Sequence, residues 1–489
     1  MSNHIPVLII VLVLGASFSI PLVARWRKTL IFPAAVTPLA ISFGLSLYLF
    51  YLVGQQGAFS YHLGEWEPPW GIELYVDYLG AYMIMVLSSI SLPVLVFASR
   101  DIHHDIREEV VSWYYTLYLL LIGSMMGIAL TNDLFNLFVF VEISAIAACG
   151  IISIKEDRKC IEASFKYLIL SALGSGCVLL AVAMIYMITG YLNFDYVAAT
   201  MTEALSLYPY NILIALSLLI VGFGVKSALF PLHVWLPDAH SSAPSPSSAV
   251  LSGLVIKIYA VALVKMLFRV FPTAIYEVVP VLDIVLFLSV LAVVFGSIFA
   301  MVQDDIKRML AYSSIAQIGY VFMGIGLFGD RALVGGLLHI FNHAMMKAML
   351  FLAAGMIIYA TGIRRIKDLK GIGVRMPLTM AAFTIGAFAM VGIPGTSGFI
   401  SKWFLALGAL DLGRPFYVAI ILLSSLLNGI YYFPIVVNAF FGSKIEPHPE
   451  HKDVPASMLI PILLLAAGVI FFGFFPGPLL DLLEQAISF

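Results

Sequence analysis

Apolar residues run in blocks of about twenty, the length needed to cross a bilayer as a helix, separated by short polar segments. Fourteen such spans can be placed, near residues 5–23, 30–53, 74–98, 112–130, 133–152, 165–189, 210–229, 247–271, 279–302, 308–328, 334–360, 376–400, 416–440 and 457–475. A mostly apolar tail follows. The pattern has no period-two alternation of a barrel, and only helices and closed barrels satisfy the backbone in lipid. The expected fold is therefore an all-α polytopic membrane protein, a single membrane domain over 1–489 with about 14 transmembrane helices.

The basic residues test this map. Of the 26 Lys and Arg, eighteen fall in loops after odd-numbered spans, three in loops after even-numbered spans and five inside spans. Such a bias marks the cytoplasmic loops and places both termini outside. Arg25, Arg27 and Lys28 follow the first apolar run instead of preceding it, so this run reads as a retained helix rather than a signal peptide. The longest loop, 54–73, is aromatic and Pro-rich and has no Lys or Arg.

Two segment pairs suggest an internal repeat. "EISAIAACG" (Glu142–Gly150) and "AYSSIAQIG" (Ala311–Gly319) lie 169 residues apart, and "VGFGVKSALF" (Val221–Phe230) and "VGIPGTSGFI" (Val391–Ile400) lie 170 apart. The offset maps span 5 onto span 10 and span 7 onto span 12. Because five is odd, the repeats would be inverted in the membrane, as in transporters. The expected division is helices 1–3 over 1–108, a first five-helix repeat over 109–275 (helices 4–8), a second over 276–441 (helices 9–13), and helix 14 with the tail over 442–489. Pro231, Pro237, Pro244 and Pro246 after span 7, and Gly392, Pro394, Gly395 and Gly398 in span 12, predict broken helices 7 and 12. Broken backbone at membrane depth is tolerated only where it lines a cavity or is buried in protein.

Composition narrows the function. The chain is 62% hydrophobic and 11% charged with net charge −2, against about 25% charged residues in soluble domains. There is no basic surface for nucleic acid. Cys149, Cys160 and Cys177 make no disulfide framework or metal spacing. No phosphate loop, zinc motif or nucleophile elbow is present, so neither a cofactor nor a metal is expected, and an intramembrane transferase or protease lacks its paired acids or nucleophile. The tract "HPEHKD" (His448–Asp453) reads as a solvated loop.

The informative residues are charges inside spans, where each costs roughly 2.5–3.5 kcal/mol on insertion scales. Glu142 lies in mid-span 5 and Lys226 just before the first break, and the two neutralise one another if they meet. Lys257 is deep in span 8, and Lys402 follows the second break. Lys265, nearer a membrane edge, reads as a snorkelling lysine. His339, His343 and Lys347 recur every four residues, about 1.1 helical turns, and share one drifting face that water could join into a proton path. His233 flanks the first break and could extend the path, with His240 and Asp238 as weaker candidates.

These residues, with "NDLFNLFVFVE", "LFPLHVWLPDAHSSAPSPSSAVLSGLVIK", "AYSSIAQIGYVFMGIG" and "HIFNHAMMKAMLF", resemble the antiporter-like subunits of complex I, membrane-bound hydrogenases and the Mrp cation/proton antiporters, from about Val110 to Phe441. The first motif looks more like the branch that holds the D-type Mrp subunits and the hydrogenases. The resemblance implies that Glu142 modulates the charge of Lys226. It also implies that Lys226, Lys257, His339 or His343, Lys347 and Lys402 form a hydrated axis for protons. Two functions follow from the same residues. The leading expectation is an Mrp-type Na+(cation)/H+ antiporter subunit; the alternative is the ion-pumping subunit of a hydrogenase- or NADH/ferredoxin-linked complex. Either implies a prokaryotic plasma membrane and other membrane subunits as partners, with H+ and Na+ as the ions.

Overall fold

The computed structural model describes residues 4–442 and 454–487; the tract His448–Asp453 lies outside them. Among the described residues, thirteen helices are long and apolar enough to cross a membrane, and the chain is a helical polytopic membrane protein. The apolar stretch near 376–400 is not one of the thirteen. It forms a helix over Pro377–Val391 and a second over Ser397–Asp411.

The helices differ in how much protein surrounds them. In the most apolar 18-residue stretch of each helix, 28% of the residues are buried in Ile5–Trp26, against 100% in Ser245–Val270 and 94% in Ile306–Leu327. The interior polar side chains Lys257, Ser313, Ser314, Gln317, His339, His343 and Lys347 lie on these two helices and on Asp330–Thr361. Protein, not lipid, surrounds the polar groups, which keeps their cost tolerable.

Small residues bring helix Val281–Met301 against Ile306–Leu327. A Cβ at Gly296 would lie 2.6 Å from the Ala316 nitrogen, and one at Gly319 would lie 2.9 Å from the Ser289 carbonyl oxygen. Helices in lipid gain by packing and not by hydrophobic burial, so close backbone approach is the main attraction.

Several elements depart from the span map. Span 3 starts at Tyr78 instead of 74, with the Asp77 side chain accepting from the Gly80 amide at 2.6 Å. The residues before it form strand Glu73–Val76, paired antiparallel with Phe59–His62, with Phe59 opposite Val76. The 54–73 loop thus folds into a hairpin, which a chain read only for apolar length does not reveal. An amphipathic helix, Phe194–Leu207, lies between spans 6 and 7, its first turn capped by Asn193. Span 7 closes at Lys226: Ala228 takes φ 56°, which a continuing helix cannot accommodate. Trp235 Nε1 donates to the Val225 carbonyl at 2.8 Å, and a short helix, Leu236–Ser242, follows.

The loops rich in Lys and Arg converge on one face. There Asp238 receives Lys166 at 3.0 Å and Arg308 at 2.8 Å, and Arg364 binds Asp305 at 2.8 Å. The opposite face carries the hairpin and the pairs Arg269–Asp195, Arg331–Asp411 and Arg414–Asp283.

Candidate functional site

Helix Leu134–Ser153 presents Glu142 toward the end of helix Pro209–Lys226. Lys226 Nζ lies 3.6 Å from Glu142 Oε1; the lysine side chain is 1% exposed and the glutamate 35%. Helix Arg158–Thr189 completes the site with two serines four residues apart. Lys226 donates to Ser171 Oγ at 3.0 Å, and Ser175 donates to Glu142 Oε1. The lysine also stands 5.5 Å from the Tyr259 ring centre, whose hydroxyl is bonded to Ser144 at 2.7 Å. A carboxylate, a hydroxyl and an aromatic face therefore hold the ammonium where the helix has run out of backbone partners.

Tyr259 leads to Lys257 on the same helix. Lys257 is fully buried and donates to the Ser252 carbonyl. That carbonyl belongs to a π-helical stretch, Leu251–Val255; such wide turns leave carbonyls available and recur at functional sites. The Ser252 hydroxyl meets Ser314 Oγ at 2.7 Å. The neighbouring Ser313 hydroxyl accepts from Lys347, which also reaches the Leu310 carbonyl at 2.8 Å and the Tyr432 hydroxyl at 3.5 Å.

One turn from Lys347, the rings of His343 and His339 stack at 5.6 Å. His339 is held on both sides, Nδ1 by Ser401 at 2.8 Å and Nε2 by Gln317 at 3.0 Å. Both nitrogens of His343 are buried without a protein partner. Buried polar atoms in this state are ordinarily satisfied by water. Tyr320 links the histidines to the last lysine: its ring is 5.3 Å from His339 and 5.0 Å from Lys402 Nζ. Lys402 donates to the carbonyls of Met390 at 2.8 Å and Val391 at 3.1 Å, and to Ser425 Oγ at 3.2 Å. These carbonyls end helix Pro377–Val391, where a cation is favoured. Gly392, at φ 90°, leaves room for the side chain, since a Cβ there would stand 3.1 Å from Lys402 Cδ.

The structure thus joins Glu142, Lys226, Lys257, Lys347, His343, His339 and Lys402 in one line of polar groups across the protein interior. Of its four lysines, only Lys226 has an acid within ion-pair distance among the described residues. His233 lies aside: its ring stacks on Phe230 at 5.0 Å and neighbours Phe299 and Tyr312, both at 6.4 Å. Lys265 does not snorkel. It is 2% exposed and donates to the carbonyls of Ala129 at 2.9 Å and Thr131 at 3.0 Å, closing the end of helix Val111–Leu130, whose last carbonyls need donors. The residues that sequence reasoning missed are neutral, among them Ser171, Ser175, Ser252, Tyr259, Ser313, Gln317, Tyr320 and Ser401. The four-residue spacing of Ser171 and Ser175 was the available signal.

The profile described as "NADH:quinone oxidoreductase/Mrp antiporter, TM" matches residues 131–428, a span that runs from just before Glu142 to beyond Lys402. The chain belongs to this family. As an antiporter-like member, it is a subunit type found in multi-subunit membrane complexes. It is 38% identical to the N-type subunit of the NADH-quinone oxidoreductase of Desulforudis audaxviator, over 97% of this chain and 96% of that protein. It is 32% identical to the D-type subunit of the Na(+)/H(+) antiporter of Alkalihalophilus pseudofirmus, over 89% and 87%. A chain in the structure of the membrane-bound sulfane sulfur reductase, an archaeal respiratory membrane complex, superposes with TM-score 0.91 at 33% identity, covering 99% of this chain and 97% of that one.

Proposed function

We propose that this chain is a proton-translocating subunit of a larger membrane complex and moves protons along the line from Glu142 to Lys402. The observation that carries the reading is the Glu142–Lys226 pair at one end of a row of buried lysines, the others of which have no acid within ion-pair distance among the described residues. A desolvated amine binds its proton less tightly than one beside a carboxylate. When Glu142 approaches, Lys226 keeps its proton; when Glu142 withdraws, Lys226 releases it toward Lys257. Hydroxyls, two histidines and intervening water then carry the charge to Lys402. A modest movement of one helix thus becomes a proton transfer.

The finer architecture supports this reading. We take 109–275 and 276–441 as two inverted five-helix repeats, with the discontinuities after Lys226 and Val391 as the broken helices 7 and 12. Each break lies beside a lysine of the line, where interrupted backbone frees carbonyls for a cation. The Lys/Arg-rich face is taken as cytoplasmic, with both termini outside, in a prokaryotic plasma membrane.

Two forms of coupling share these residues. In Mrp-type antiport the complex exchanges Na+ for H+. In the redox-linked form a hydrogenase-like or NADH/ferredoxin-linked partner drives the same line. The higher identity to a quinone oxidoreductase subunit than to an antiporter subunit, and the close superposition on a respiratory complex, favour the redox-linked form. Purification of the intact complex decides it. Fe–S subunits bound to this chain, and proton flux dependent on their electron donor, are expected. Cation-driven proton flux from a complex without redox subunits would return the Mrp form.

A further inference from the structure

Four helix ends meet around a cavity on the Lys/Arg-rich face, apart from the line of buried lysines. Helix Ile5–Trp26 ends there, helix Ile31–Gln56 starts, helix Tyr78–Asp105 ends and helix Val111–Leu130 starts. The cavity measures about 700 Å³, within the range of roughly 300–1,000 Å³ that holds small ligands. Asp105, at the end of the third of these helices, binds Lys155 at 2.5 Å, which fixes the face. Pro21, Ile31, Phe32 and Val111 give the cavity an apolar wall, and Arg25, Lys28 and Glu109 give it charge.

The two signs of charge come from different turns. Arg25 closes the first helix and Lys28 opens the turn Lys28–Leu30, whereas Glu109 lies in the turn Glu108–Val110. None of the three has an ion-pair partner within 4.0 Å among the described residues, although they line one cavity; Glu108 beside them is bound to His103 at 2.7 Å. The surroundings are those of a membrane surface. Only 28% of the residues in the most apolar stretch of Ile5–Trp26 are buried, and 33% in that of Lys28–Gln56. Trp26 and Trp113, at the same helix ends, are 86% and 53% exposed, and tryptophan settles at the membrane–water interface.

We propose that this cavity binds the headgroup of a phospholipid carrying both a phosphate and a primary amine, of the phosphatidylethanolamine class. Arg25 and Lys28 take the phosphate, the arginine through its fork of N–H donors and the lysine as a point charge. Glu109 takes the ammonium. The acyl chains run from the apolar wall at Ile31 and Phe32 along the two least enclosed helices. Basic groups at a helix end attract any anionic lipid; the carboxylate in the same cavity supplies the selection. A headgroup with phosphate alone leaves Glu109 facing like charge. A trimethylated amine keeps the charge but has no N–H to donate, unlike an ammonium with its three donors.

The test places a benzophenone amino acid at Thr29, an exposed residue of the cavity wall, in the complete complex. The complex is held in nanodiscs of equal parts phosphatidylethanolamine, phosphatidylglycerol and phosphatidylcholine. After illumination, mass spectrometry of the peptide containing residue 29 identifies the captured lipid. Phosphatidylethanolamine should exceed each of the other two several-fold. Glu109→Gln should bring phosphatidylglycerol level with it, and Arg25→Gln combined with Lys28→Gln should remove the preference and most of the adduct. All three side chains are exposed, so the variants should assemble, which size-exclusion chromatography checks. Excess inorganic phosphate should not displace the lipid; displacement would make this an anion site and overturn the proposal. Adducts in the bulk lipid proportions, or a preference unchanged by Glu109→Gln, overturn it as well. So does capture of another subunit in place of lipid, which would make the cavity a protein interface.

Discussion

Lys226 Nζ lies 3.6 Å from Glu142 Oε1, and Ser171 and Ser175, one turn apart on a third helix, each hold one member of the pair. The lysine is enclosed while the acid keeps about a third of its side chain open.

Replacing Glu142 with Ala should reduce proton flux by roughly tenfold or more, equivalent to about 1.4 kcal/mol or above, while the complex still assembles. Removing the carboxylate leaves the buried Lys226 ammonium uncompensated. Glu142→Asp should retain part of the flux, since the carboxylate is withdrawn by one methylene. Near-normal flux with Ala at this position would end the pair model.

Lys402 binds two helix-end carbonyls and a serine, so a positive charge is well held there. Lys402→Arg keeps that charge but does not release a proton at neutral pH. Both Lys402→Ala and Lys402→Arg should block flux if the residue is a relay. A fully active arginine variant, measured in sealed vesicles, would reduce Lys402 to a helix cap.

On helix Asp330–Thr361 the wet and dry faces should separate. Cysteines at His339, His343 and Lys347, in a background lacking Cys149, Cys160 and Cys177, should react with small water-soluble thiol reagents. Phe341 packs on Phe472 at 5.0 Å, and the Met345 sulfur lies beside Gly468, so cysteines at 341 and 345 should stay silent. Residues four apart keep to one face, whereas a two-residue step turns by about 200°. Equal reactivity at 343 and 345 would make a one-sided proton path untenable.

Glu73 on the hairpin gives a pH prediction outside the membrane spans. Burial pushes its carboxyl up, but hydrogen bonds from Ser60, Asn132 and Asn193, with His62 nearby, outweigh this and hold it below its ordinary value of 4.5. Asn132 and Asn193 donate at 2.7 and 2.6 Å. A lowered folded value means that the bound carboxylate stabilises the hairpin above about pH 4.5 and that this is lost as pH falls through the folded value. Hydrogen-exchange protection over 59–76, taken relative to the intrinsic exchange rate at each pH, should fall on acidification below that point. Glu73→Gln should exchange faster at neutral pH and lose the dependence; an unchanged profile would show that the carboxylate does not hold the hairpin.

The spans, the sidedness of the basic residues and the buried charges were legible in the sequence because the bilayer is a uniform solvent. Whether twenty residues can cross it, and what an inward Glu142 or Lys257 costs there, depends on those residues alone. The partners of each charge were not legible. That Lys226 meets Glu142 was an inference from cost; that Ser171 and Ser175 hold the pair, and that Lys257 rests on a π-helical carbonyl, follows from segments packing side by side. Lys265 shows the difference. Its place near a membrane edge suggested a side chain reaching for water, yet the loose carbonyls of Ala129 and Thr131 capture it. The hairpin at 59–76 and the amphipathic helix 194–207 were likewise invisible to apolar length, since neither crosses the membrane. Local transfer free energy determined which residues enter the membrane, but tertiary packing decided what each meets there, because hydrogen-bond partners act over about 3 Å and come from segments far apart in the chain.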